Sequence, residues 1–225
     1  MSAPRIRGAQ PGDLDALYRI ALATGDSGAD AAHLYRDPKL VGHLYAAPYA
    51  VLEPALALVV EDASGVGGYI VGALDTLGFE ARLEAEWWPA LRRGYADPTG
   101  DPSGWDLDQV RAYQIHHPRP PPTRITDPYP SHLHINLLPR LQGRGLGKAL
   151  IDALLARIAA AGSRGAHLGV SRANHRALRF YRAYGLEEFR FPRPKRSPET
   201  IYFVRALEVT NAENGGTSPS PTNSG

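Results

Sequence analysis

"HINLLPRLQGRGLGKALIDALLARI", His134 to Ile158, is the stretch on which the reading of this chain turns. Its first part alternates polar and apolar residues and runs into Pro139, as a strand does where its ladder ends. Gln142, Gly143, Arg144, Gly145, Leu146, Gly147 and Lys148 follow. A helical period then sets in, with Leu146, Leu150, Ile151, Leu154, Leu155 and Ile158 on one face and Gly162 as the stop. Glycines between a strand and a helix let backbone N–H groups converge without Cβ atoms in the way, and the helix start adds partial positive charge. Such a corner suits a diphosphate. It also suits a tight turn with close helix-to-sheet packing. The phasing is not that of a Walker A loop, because no Gly-Lys-Ser/Thr closes it, and it is not GxGxxG.

Working outward, "PRIRGA" reads as a first strand and "PGDLDALYRIALAT" as a helix with Asp13 as its N-cap. "PKLVGHLYAA" reads as a shorter helix. "ALALVVED" and "GGYIVGALD" form a hairpin around a glycine-bearing turn. Residues 76–130 stand apart. They hold a helix from about Phe79 to Tyr95, a loop, a helix from Asp106 to His116 and the proline-rich "HHPRPPPTRITDPYP", expected to be extended. Downstream, "SHLHINLL" and "AHLGV" read as strands, and "NHRALRFYRAYG" as a helix opened by Asn174 and closed by Gly185. "LEEFRF" and "TIYFVRAL" read as closing strands around "PRPKRSPE". The organisation expected is one domain over residues 1–208 and a disordered tail over 209–225, which lacks apolar residues to bury.

Length and composition bound the function. The 225 residues suffice for one large domain. A net charge of +2 is compatible with an anionic ligand and gives no argument for nucleic acid. These residues include no cysteine, which excludes disulfides, thiolate metal sites and a cysteine nucleophile. No apolar h-region and no run of roughly 18 apolar residues is present, so no signal peptide and no membrane span are expected, and a cytoplasmic location is. His116 and His117 have no second ligand pair at metal spacing, and no metal is expected.

"LLPRLQGRGLGKAL" resembles the coenzyme A pyrophosphate loop of the GNAT N-acetyltransferases, Q/R-x-x-G-x-G/A, with Gln142, Gly145 and Gly147 at its three fixed positions. "SRANHRALRFYRAYGLEEF" resembles that family's second signature, with Asn174, Tyr181 and Gly185 at matching positions. The order of elements agrees as well. More narrowly, the hairpin and the segment after it, with "TDPYPS" and "AAAGSRGAHLGV", look like the acetyltransferase-like C-terminal domain of O-GlcNAcases. A glycoside hydrolase domain finds no room here, so hydrolysis of O-GlcNAc is not expected. The resemblance implies the GNAT acyl-CoA N-acyltransferase fold, of α/β (α+β) class: a mixed twisted sheet flanked by helices, with a long insertion between the third and fourth strands. It implies acetyl-CoA as cosubstrate and direct transfer to an amine, on a small molecule or a peptide or protein, in a ternary complex. Two other functions stand beside it: a module that binds coenzyme A without catalysis, and a nucleic-acid-binding protein, against which the near-neutral charge argues.

Residue by residue, the resemblance implies cofactor contacts from Gln142, Gly143, Arg144, Gly145, Leu146, Gly147, Lys148 and Asn174, and thioester contacts from the backbone N–H groups of Leu137 and Leu138. Tyr181 matches the general acid, and its phenol can protonate or hydrogen-bond the leaving sulfur. Its other reading is a core tyrosine. His132 and His134 share one strand face near the expected acetyl group and are candidate bases, or else packed side chains. Asp75 either binds the acceptor amine or caps the helix of "TLGFEARL". Asn136 is a further candidate for cofactor or acceptor. Trp87, Trp88 and Trp105 line an acceptor pocket or belong to the core.

Overall fold

Seven strands form one mixed sheet among the described residues, which in this computed structural model are 3–119, 121–191 and 199–208. They are β1 (Arg5–Gly8), β2 (Ala57–Asp62), β3 (Gly65–Ala73), β4 (Ser131–Leu137), β5 (Gly165–Ser171), β6 (Glu187–Glu188) and β7 (Thr200–Ala206), in the spatial order β1-β2-β3-β4-β5-β7-β6. Every neighbouring pair is antiparallel except β4 with β5, which is parallel. The expected tail and the loop "PRPKRSP" lie outside the described residues.

Nine helices flank the sheet: α1 (Leu14–Ala23), α2 (Leu40–Tyr45), α3 (Ala47–Leu52), α4 (Thr76–Arg82), α5 (Trp88–Gly94), α6 (Leu107–His116), α7 (Thr123–Thr126), α8 (Leu146–Ala160) and α9 (His175–Tyr184) among the described residues. Strand alternation sorts the core into two layers. Val59, Tyr69, Val71 and Ala73 face the layer of Leu17, Ile20, Tyr49, Phe79 and Trp88. Leu58, Val60, Ile70 and Leu133 face Leu150, Ile151, Leu154 and Ile158 of α8. These four α8 side chains are fully buried, each contributing roughly 1.5–3 kcal/mol of apolar burial. No helix among the described residues is long and apolar enough to cross a membrane.

The elements depart from the sequence reading in four places. Asp13 does not cap α1: its carboxylate accepts from Arg7 at 2.6 and 2.9 Å and from the Gln10 N–H at 2.8 Å, which ties β1 to the helix start. α3 is not among the elements expected from the sequence; Pro48 sits in its first helical turn, where proline is tolerated. The helix expected from Phe79 begins at Thr76 and passes through a π-helical turn, Leu83–Trp87, before α5. The proline-rich stretch is not wholly extended, since one turn, α7, forms behind Pro122.

Candidate active site

β4 and β5 pair only at Ser131 with Ala166 and His132 with His167. Beyond those residues the two strands part, and the gap opens toward the glycine corner. Gly143 and Gly145 both adopt positive φ, +68° and +76°, and open space lies where a Cβ would stand on either. Gly145 is the left-handed N-cap of α8. Among the described residues, the N–H groups of Gly143, Arg144, Gly145, Leu146, Gly147 and Lys148 take no hydrogen bond. Six consecutive unsatisfied donors at a helix start form a nest that fits an anion of several oxygens. Gly147 serves packing: a Cβ there would stand 3.1 Å from Phe180 Cζ on α9. Arg144 is exposed and makes no hydrogen bond or ion pair among the described residues, whereas Lys148 pairs with Asp152 at 2.6 Å.

Gln142 braces this corner. Its Nε2 donates to the Leu137 carbonyl at 2.6 Å, and its Oε1 accepts from Arg176 of α9, which also reaches the Gly28 carbonyl at 3.3 Å. Asn174 caps α9 by accepting from the Ala177 N–H at 3.0 Å. The two leucines expected to hold a thioester separate. The Leu138 N–H donates to Gly67 O at 2.8 Å, so it belongs to the β3 side and is not available to a ligand. Strand alternation then turns the Leu137 N–H to the opposite edge, into the gap. Tyr181 is buried in the apolar cluster that includes Leu133 and Val170 of the parted strands, with its ring 5.4 Å from that of Phe203. Its hydroxyl has no hydrogen-bond partner among the described residues. Burial pushes the phenol up, so it stays protonated at neutral pH.

On the other face of β4, His132, His134 and Asn136 point toward α1 and α3. Asn136 Nδ2 donates to Thr24 Oγ1, which joins β4 to the end of α1. The histidines enter a chain whose direction follows from one carbonyl. Pro130 O can only accept, so the Thr76 hydroxyl donates to it at 2.6 Å. The Thr76 oxygen then accepts from His132 Nδ1–H at 2.8 Å. His132 Nε2 is left as an acceptor and takes the Tyr49 O–H at 2.8 Å. The Tyr49 oxygen accepts from His134 Nε2–H at 3.0 Å. Both tautomers are thereby assigned. His134 Nδ1 keeps its lone pair and has no partner among the described residues.

Burial, then the neighbouring His134 and His167, hold His132 well below the usual imidazole range. Burial, with His167 second, pushes His134 down to about 4. Both rings are neutral at pH 7. His167 donates from Nδ1 to the Tyr129 carbonyl at 2.7 Å, while its Nε2 is buried without a partner. Burial also raises the Glu80 carboxyl on α4.

Asp75 caps α4: its Oδ1 accepts from the N–H groups of Leu77 and Gly78 at 2.9 and 3.2 Å. Trp88 is buried in the first core layer, Trp87 donates to the His43 carbonyl at 3.0 Å, and Trp105 donates to Thr99 O at 3.2 Å within its own loop. Tyr49, Thr76, Tyr45, Arg111 and Arg176 were missed in the sequence. Only Arg176, two residues after Asn174, sits inside a motif that could have drawn attention to it.

The model of the acetyltransferase (GNAT) family matches residues 109–186, which run from α6 through both motif regions to the end of α9. Protein O-GlcNAcase of Rattus norvegicus is 25% identical over 178 residues, covering 79% of this chain and 19% of that protein. The chain thus spans about a fifth of the length of the curated relatives it matches. The crystal structure of SsHAT superimposes with a TM-score of 0.81 at 34% identity, covering 91% of this chain and 98% of that one. A GNAT superfamily phosphinothricin acetyltransferase from Sinorhizobium meliloti, solved in complex with acetyl-CoA, gives a TM-score of 0.52 at 19% identity, covering 96% and 93%.

Proposed function

Because the chain belongs to the GNAT acetyltransferase family, we propose that it transfers an acetyl group from acetyl-CoA directly to an amine acceptor in a ternary complex. The observation that carries this reading is the run of six unsatisfied N–H groups at the mouth of the gap between β4 and β5. The cosubstrate supplies an acetyl group activated as a thioester. The nest from Gly143 to Lys148 holds the diphosphate, with Arg144 adding charge at its edge and Asn174 at the start of α9 beside it. The Leu137 N–H donates to the thioester carbonyl oxygen. Tyr181, kept protonated by burial, donates to the leaving sulfur. His134 Nδ1 accepts from the attacking amine, and the chain through Tyr49, His132 and Thr76 keeps the lone pair on that nitrogen. His132 positions and does not react, since both its nitrogens are occupied. Asp75 acts through the helix it caps. The acceptor is an amine on a small molecule or on a peptide or protein.

Calorimetry with acetyl-CoA tests the binding half, with micromolar affinity expected, roughly −8 kcal/mol. Thiol release over a panel of amines tests the transfer half. Tight binding with no amine-dependent release would leave a module that holds the thioester without turnover. Absence of binding would remove the reading altogether.

A further inference from the structure

Arg111 of α6 stands where it can choose the acceptor. Its side chain is half-buried, and no carboxylate pairs with it among the described residues. It is framed by aromatic rings, with Cζ 6.0 Å from the Tyr35 ring centroid and 5.6 Å from that of Tyr45. Nε donates to the Tyr35 hydroxyl at 3.0 Å, and Nη1 donates to Gln114 Oε1 at 2.9 Å and to the Tyr45 hydroxyl at 3.3 Å. Those contacts hold the guanidinium in place. They leave over both N–H groups of Nη2 and the proton of Tyr35, none of which has an acceptor among the described residues. The Tyr45 ring lies 5.5 Å from the His134 ring. The guanidinium and the unpartnered imidazole nitrogen are therefore joined through one shared tyrosine, on the same side of β4.

A guanidinium drawn out of bulk water without a counter-ion is costly unless something completes it. One N–H of Nη2 runs parallel to Nε–H, which meets the Tyr35 oxygen, so that N–H and the Tyr35 O–H can reach the two oxygens of one carboxylate in charge-assisted bonds. As a strut alone, the residue would need only the contacts that Nε and Nη1 already make. We propose that Arg111, with Tyr35, binds a carboxylate on the acceptor, so that the preferred substrate carries its amine and an acid group a few bonds apart. This rests on the acetyl-transfer reading, because the distance that matters runs to His134. It goes beyond that reading by naming the acceptor's chemical class.

The test compares matched acceptors: 4-aminobutanoate, its carboxamide 4-aminobutanamide, and 3-aminopropylphosphonate, each followed by thiol release from acetyl-CoA. The carboxylate is expected to exceed the carboxamide at least tenfold in kcat/KM. In Arg111→Gln that ratio should collapse toward one, mainly through KM, and Arg111→Lys should restore part of it. A phosphonate preferred over the carboxylate would overturn the choice of acid, and a ratio that survives in Arg111→Gln would overturn the role of Arg111. Binding of 4-acetamidobutanoate and 4-acetamidobutanamide to the coenzyme A-loaded protein, by calorimetry, is independent of turnover. If no amine is acetylated but the carboxylate still binds at least tenfold tighter in an Arg111-dependent way, transfer fails and the anion site stands. If the two bind equally, the anion site fails whatever the enzyme turns over. Melting curves of both variants confirm that the fold is retained.

Discussion

Stability should fall between pH 7 and pH 5, and His134 should account for a defined share of the fall. An imidazole in the unfolded chain titrates near 6.5, while burial holds His134 in the fold at about 4. Above pH 7 neither state binds the proton, and the folded state carries no penalty. Below 6.5 the unfolded chain takes up a proton that the fold refuses, so stability drops by about 1.4 kcal/mol per pH unit until the folded value is reached. By pH 5 the difference reaches about 2 kcal/mol for this residue alone. His132 works in the same direction, because burial holds it well below the usual imidazole range. Carboxylates held down by arginine, such as Asp13 and Glu61, lose their contribution only at lower pH, and Glu80, raised by burial, acts in the opposite sense. Urea denaturation of the parent and of His134→Gln at pH 7.5 and 5.0 cancels those shared contributions. The variant should be less sensitive to the pH change by about 2 kcal/mol, the figure worked from the His134 shift. Equal sensitivity in both proteins would mean that His134 titrates as an exposed imidazole, and the assignment of a neutral, buried base would fall.

Gly145→Glu should abolish acetyl-CoA binding in calorimetry, because Gly145 sits at φ +76° facing open space within the nest, and the side chain would place negative charge there; retained affinity would show that the diphosphate lies elsewhere. Tyr181→Phe keeps the ring against Phe203 and removes only the hydroxyl, so cofactor affinity should hold while turnover falls by roughly 10²–10⁴; a parental rate would rule out the acid. Thr76→Val leaves His132 Nδ1–H buried without its acceptor and should cost about 1–3 kcal/mol in chemical denaturation; unchanged stability would show that no hydrogen bond joins the two side chains.

The two halves of the site were not equally legible in the sequence, and chain separation is the reason. The corner proposed to hold the diphosphate is contiguous. Gln142 to Lys148 join a strand to a helix directly, and the glycines there have backbone angles that side chains resist, so the pattern survives in the letters. Asn174 and Gly185 bracket α9 as a side-chain cap and a left-handed stop, again within one element. Even here the letters could not divide Leu137 from Leu138, because which N–H faces the gap depends on the register with Gly67 on another strand.

The proposed acceptor side draws on Tyr49, Thr76, Arg111, His132 and His134, which four separate segments bring together. None of these residue types is unusual at its own position, and only the fold makes them neighbours. The letters had allowed Asp75 two roles, amine binding or capping, and its position gives the capping contact a consequence for the chemistry. By accepting from the Leu77 and Gly78 N–H groups it sets the first turn of α4. That turn presents the N–H and the hydroxyl of Thr76 together to Pro130 O, at 2.8 and 2.6 Å. With the carbonyl receiving both, the threonine oxygen can only accept from His132, and each later proton in the chain is directed in turn. Removing the Asp75 carboxylate would therefore loosen the element that fixes the protons several bonds away, and His134 Nδ1 would lose its assured lone pair without any change at His134 itself.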